Sequence, residues 1–441
     1  MPPALLGWSW IAVPGFLAVV AILAGLTGVV AVFAYGLRFA AGVPLFMALP
    51  LAWTAGEWIR ANLPGTLAFS WLELGASLTA HPEWVGIAEV VGTRGVTFWL
   101  AMVSGLLATA LIGGRRGKLV AAAAAVCAVL AVPAWGILRA DSLETHEVGT
   151  VAVVQPGVHR GTGEEPSVAR EAVYAALDRL TPAVSTGRPD LVILPEAPLP
   201  DTFGTPGASA AIARLAEFSD AAGAPVLVGG LHASPGTARD VRNSIVMVER
   251  SGLTDYRYDK HHLVPVVERV PLIPFPGVSE GLAGYVPGRG WSVATIRPDL
   301  VAGAFVCYES AFQDVARRLT AAGADLLVNV TNDAWFTRWP PGSGSHAVWQ
   351  HPAHLVMRAI ETRRGVARAA STGLSFFVDP VGRIHDRTPL GQEAVTIGRV
   401  RSASGLTLFV RTGDVAGGLS MGVTMLLLAA GFGGSWRTRR G

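Results

Sequence analysis

The stretch GAFVCYESAF, residues 303–312, decides the fold. It sits in the longer run LVAGAFVCY (300–308), apolar on both faces, which predicts a strand buried on both sides; a helix is expected to follow directly from near Ser310. Strands of this kind belong to layered α/β domains in which helices cover the sheets. Outward from it the pattern recurs in VGTVAVVQ (148–155), DLVILPE (190–196), PVLVGGLH (225–232), NSIVMVE (243–249), DLLVNVTN (325–332), VARAAST (366–372) and SFFVD (375–379). Helices fit between them at about 166–184, 207–222, 310–322 and 345–363. No repeat or low-complexity tract stands out beyond the Ala-rich run near residue 121.

The flanks have another character. Hydrophobic residues make up 51% of the chain and charged ones 15%, against roughly 25% charged in an average soluble domain. Mean hydropathy is +0.43, with the apolar excess at residues 1–138 and 415–434. Residues 11–33, 43–59, 95–112, 119–138 and 415–434 are each apolar enough to cross a bilayer core of about 30 Å. Organisation follows: spans in 1–142 with an outer loop at 61–92, a catalytic domain at 143–404, and a last span with a basic tail at 405–441. Arg115, Arg116 and Lys118 in one short connection, and Arg437, Arg439 and Arg440 in the tail, place those segments in the cytoplasm. Residues 139–414 are then expected outside, with Arg60 and Arg94 a minority against the rule. The pI is about 9.1 with a net charge of only +3, and no basic run tracks a polyanion, so nucleic acid is not an expected partner.

Three segments carry chemistry. LVILPEAPLP puts Glu196 at the carboxyl end of a strand, where α/β sheets bind ligands; a solvated strand-end carboxylate is the plain alternative. YRYDKHHLVPVVERVP supplies Lys260 and, eight residues on, Glu268; alone it is a polar loop. GAFVCYESAF presents Cys307 at a strand-to-helix turn, where a thiol is either an exposed nucleophile near backbone N–H groups or a small buried apolar group. A thiol, a carboxylate and an ammonium together suit acyl transfer: the thiolate attacks a carbonyl, the carboxylate carries the proton, and the ammonium stabilises the developing charge. This chemistry needs no cofactor. Neighbouring His261 and His262 point opposite ways on an extended chain. His346, His351 and His354 lack partners at metal spacing, so no metal site is expected. Cys127 lies in an apolar stretch, which argues against a disulfide with Cys307.

The order Glu, Lys, Cys in the contexts LPEAPLP, YDKHHLVP and CYES resembles the carbon–nitrogen hydrolase (nitrilase) superfamily. KHHLVPVVERVP (260–271), VCYES, NDAWF (332–336), WQHPAHLVMRAIETRRGVARAASTG (349–373) and TLFVRTGD (407–414) are more closely similar to the apolipoprotein N-acyltransferase family. The resemblance implies an α-β-β-α sandwich on a bundle of transmembrane helices. It implies Glu196 as general base, Lys260 as the oxyanion residue and Cys307 as nucleophile. Glu268 would position the lysine, and Tyr308 and Glu309 would support the nucleophile. It further implies a phospholipid acyl donor, a thioester, a diacylglyceryl-lipoprotein acceptor, and a multi-pass protein of the bacterial inner membrane with its catalytic domain on the periplasmic side.

Two features depart from the family pattern. Four spans precede the domain where seven are usual, which fits absence of upstream spans, and PVVERVP stands where a PFGE-type sequence is more usual. A site at the bilayer surface spares a lipid donor and a lipid-anchored acceptor extraction from the membrane. Trp71, in the outer segment Leu67–Leu74, and Trp335 and Phe336 of NDAWF are expected at the acyl-chain entrance. The rival functions are a membrane-tethered amidase using water as acceptor and a catalytically inert scaffold or transporter component.

Overall fold

The computed structural model describes residues 9–158, 165–234, 240–265, 267–269, 284–336 and 345–438, the side chains of 9–12, 15, 335 and 434–438 excepted. The chain forms two compact units, one of Met1–Leu143 with Thr407–Gly441 and one of Glu144–Leu406.

The first unit is helical. α1 (Ser9–Phe39), α2 (Leu45–Ala61), α3 (Ala88–Ile112) and α4 (Arg115–Asp141) are joined by the C-terminal helix Val415–Thr438. Among the described residues, Phe16–Phe39, Ala88–Ile112, Arg115–Asp141 and Val415–Gly433 are long and apolar enough to cross a membrane. Phe16, Leu111, Leu130 and Leu426 are exposed on them, an apolar surface that water does not tolerate at this extent. The expected span at 43–59 is α2, a helix of 17 residues that starts after Pro44. At about 1.5 Å per residue it is near the lower limit for a crossing. α3 begins about two turns earlier than the apolar run implies and is broken at Gly92, whose φ of 68° and ψ of 177° suit only glycine. Arg94, outside on the count of charges, is buried and ion-paired with Glu73 at 2.5 Å and with Asp414. Its charge is met within the protein, which removes the conflict with the loop charges.

The second unit holds two sheets. β1 (His146–Gln155), β2 (Leu191–Ile193), β3 (Thr202–Phe203), β4 (Val226–Ala233), β5 (Val241–Glu249), β6 (Gly252–Asp259) and β13 (Ala394–Ser402) form one, in the order β13-β1-β2-β4-β5-β6 with β3 beside β4. β7 (Ala294–Arg297), β8 (Leu300–Val306), β9 (Leu326–Thr331), β10 (Gly365–Ala370), β11 (Phe376–Val378) and β12 (Ile384–His385) form the other, in the order β12-β11-β10-β9-β8-β7. The sheets face each other, β1 against β10, β4 against β9 and β5 against β8. Helices α5 (Pro166–Gly187) and α6 (Ser209–Ala222) cover the first sheet; Leu177, Leu215 and Phe218 pack there on Val154, Val192 and Val228. Helices α7 (Gln313–Ala321) and α8 (His346–Thr362) cover the second. This is the expected α-β-β-α sandwich.

Two local expectations are corrected. The strand at 190–196 ends at Ile193, because Pro195 cannot donate to a ladder and Ala197 turns to a φ of 45°. The helix expected from near Ser310 starts at Gln313, after a tight 3₁₀ turn over Cys307–Ala311 and an extended Phe312.

Candidate active site

β8 and β9 run parallel, as do β2 and β4, so their carboxyl ends deliver Cys307, Asn332 and Glu196 to the open edges of the two sheets. Cys307 leaves β8 with a φ of 49°, a left-handed conformation that turns the chain sharply. Glu196 lies where its backbone meets Gly229 of β4 so closely that a Cβ there would come within 2.7 Å of the Glu196 Cα. Only glycine admits that approach. Lys260 follows β6 and is 1% exposed.

The carboxylates and the ammonium form one network. Lys260 Nζ donates to Glu268 Oε1 at 3.0 Å and lies 3.7 Å from Glu196 Oε1. The amide of Asn243 donates to both carboxylates, at 2.7 Å to Glu196 Oε1 and 2.8 Å to Glu268 Oε1. Backbone N–H groups complete the shell, Asn332 to Glu196 Oε2 at 2.9 Å and Val264 to Glu268 Oε2 at 2.7 Å. Burial pulls the Lys260 ammonium down, but Glu268, Glu196 and Cys307 outweigh it and raise it above its ordinary range, so it stays charged. Burial and the charge of Glu196 push the Cys307 thiol up; Lys260 and the Thr331 hydroxyl act against them without winning. Cys307 is thus a neutral thiol with the Glu196 carboxylate near it, an arrangement that suits a nucleophile whose proton leaves as attack begins.

Glu309 is tied into the same region by hydrogen bonds. Fully buried, its Oε1 accepts from Tyr258 Oη at 2.9 Å, His261 N at 2.7 Å and His262 N at 3.3 Å, and its Oε2 from Val306 N at 2.8 Å. It thereby ties the lysine segment to the nucleophile turn. Tyr308 is buried, its ring edge-on to Phe312 at 5.1 Å. Phe336 is half-buried and its ring stands edge-on to His351 at 6.3 Å. The side chain of Trp335 lies outside the described residues. Trp71 is half-buried and belongs to the first unit.

Asn243, Asn329, Asp333 and Arg368 surround the site without having been singled out from sequence, and His351 was weighed only as a metal ligand. The signal available was a polar residue inside an otherwise apolar strand, as in LLVNVT and VARAA, since such a residue needs a buried partner. Among the described residues no group of His, Cys, Asp and Glu has the geometry to hold a metal ion.

Two facing sheets with a thiol, a carboxylate and an ammonium at their edges define an enzyme of the carbon–nitrogen hydrolase class, and residues 150–405 match the Carbon-nitrogen hydrolase family. Residues 4–106 match the Apolipoprotein N-acyltransferase N-terminal domain. The chain is 31% identical to the apolipoprotein N-acyltransferase of Geobacter metallireducens over 85% of its own length and 72% of the relative's. It is 30% identical to that of Pasteurella multocida, over 88% and 75%, and 32% identical to that of Ralstonia nicotianae, over 86% and 70%. The chain belongs to the apolipoprotein N-acyltransferase family.

Proposed function

We propose that this membrane-bound acyltransferase moves an acyl chain from a phospholipid, through a thioester on Cys307, to the N-terminal amine of a diacylglyceryl-modified lipoprotein. The observation that carries the reading is the convergence of Glu196, Lys260 and Cys307 in a chain with membrane-spanning helices. In the first half-reaction Glu196 takes the thiol proton and the sulfur attacks the ester carbonyl. Lys260 stabilises the oxyanion, and the lysophospholipid oxygen leaves with the proton returned by Glu196. In the second, the lipoprotein amine attacks the thioester, Glu196 removes its proton, and the sulfur departs to regain a hydrogen. Tyr308, Glu309 and Glu268 hold this geometry. Phe336 meets the acyl chain. The basic segments at 113–118 and 437–440 face the cytoplasm and the catalytic unit faces the periplasm, so a membrane-impermeant thiol reagent should reach a cysteine placed in the catalytic unit but not one placed at 115.

The test of the acceptor is a diacylglyceryl-cysteine peptide offered with its amine free or acetylated. Acylation of the free-amine peptide alone is expected, and Phe336→Ala should raise the KM for long-chain donors. Release of free fatty acid with no peptide product would instead make the protein a hydrolase.

A further inference from the structure

The Cys307 carbonyl is held from behind. His351 Nε2 lies 3.1 Å from that oxygen, and Asn329 Nδ2 lies 3.5 Å from it. A carbonyl oxygen only accepts, so Nε2 carries a hydrogen whichever partner the other ring nitrogen takes. His351 Nδ1 sits between Arg368 Nη2 at 3.0 Å and Asp333 Oδ1 at 3.1 Å, and Arg368 Nη2 donates to Asp333 Oδ2 at 2.6 Å. Thr331 Oγ1 adds a bond to Asp333 Oδ1 at 3.0 Å. None of the three clamp residues is more than 1% exposed. Three charged or titratable groups buried behind a backbone carbonyl need a reason, and the nucleophile's left-handed φ of 49° supplies one: that conformation does not persist without support.

A trans peptide is planar, with its C=O and N–H pointing to opposite sides. Whatever fixes the Cys307 carbonyl therefore fixes the direction of the Tyr308 N–H. We infer that His351, clamped by Asp333 and Arg368, is a positioning residue that locks the Cys307–Tyr308 peptide plane and so aims the Tyr308 N–H at the oxyanion formed when Cys307 is acylated. The inference rests on Cys307 being the acylated nucleophile. It assigns the buried histidine of WQH an orienting part in oxyanion stabilisation, with no contact to substrate.

An oxyanion forms when the thiol attacks an ester and does not form when it is alkylated, while both reactions need the same thiolate. The ratio of Cys307 acylation by p-nitrophenyl butyrate to its alkylation by iodoacetamide isolates the effect. It is measured per reactive thiol in the full detergent-solubilised chain carrying Cys127→Ser, so a misfolded fraction cancels. For His351→Leu the ratio should fall by about 100-fold, the scale of one lost oxyanion donor. His351→Gln, whose amide N–H reaches the same carbonyl, should stay within about ten-fold of the parent. An unchanged ratio in His351→Leu, or an equal fall in His351→Gln, overturns the inference. If His351→Leu yields no reactive thiol, Asp333→Asn takes its place, and an unchanged ratio there overturns it equally. Transfer from phospholipid is assayed on the parent in parallel. Ester acylation without phospholipid transfer would remove the proposed donor and leave the His351 comparison standing.

Discussion

Burial works against the charge on Lys260, and two carboxylates beside it more than offset this. Removing the ammonium would strand Glu196 and Glu268 next to each other, and breaking such a buried pair typically costs about 3–5 kcal/mol. That cost reflects the uncompensated charge left behind by losing one partner alone. Cys307 has the opposite balance: its thiol is held neutral, chiefly by burial and then by Glu196. Below a group's pKa the thiolate fraction rises ten-fold per pH unit, so alkylation of Cys307 should climb with pH past about 8.5, the ordinary thiol value, without a plateau. A plateau at or below that pH would show an activated resting thiolate and contradict the site's electrostatics. The sign for stability follows. The unfolded chain loses this proton first as pH rises through about 8.5, so the unfolded state then binds fewer protons and stability falls. A Cys307→Ala variant should lack that alkaline loss.

At the scale of elements, the conformations that place the site are short and local. β2 stops after three residues and a left-handed Ala197 turns Glu196 out of the strand; in the other unit, Gly92 breaks α3 just before Arg94 reaches Glu73 and Asp414. Gly92→Ala should cost about 1–3 kcal/mol, because its φ and ψ lie where side chains are not tolerated. A thermal melt of the detergent-solubilised protein reads this, and an unchanged midpoint would mean the break relaxes freely. The strand ends bearing Glu196 and Cys307, and the loop bearing Lys260, were legible because reactive groups next to fully apolar runs stand out. β13 was not, since AVTIGRVRS alternates half-exposed and charged positions much as a loop does. Asn243 and Arg368 escaped for a different reason. Which face of a strand a polar residue occupies depends on register, and register is set by partners distant in the chain. The 3₁₀ turn after Cys307 was hidden because ESAFQDVARRL has helical character throughout, while Phe312 is extended and interrupts it.

At the scale of the whole molecule, helices long and apolar enough to cross a membrane and a carbon–nitrogen hydrolase domain occur in one chain, in two compact units. A hydrolase of small amides has no need of apolar spans. A donor and an acceptor that both reside in a bilayer reconcile the two units, and on this account every turnover passes through an acyl group on Cys307. The most direct measurement is to incubate the purified chain with phospholipid bearing an alkyne-tagged acyl chain and to look for a hydroxylamine-sensitive label on the protein, with Cys307→Ser alongside. The account predicts a label on the parent chain that is absent from Cys307→Ser. A folded parent chain that takes no label, or a label that survives in Cys307→Ser, would contradict it.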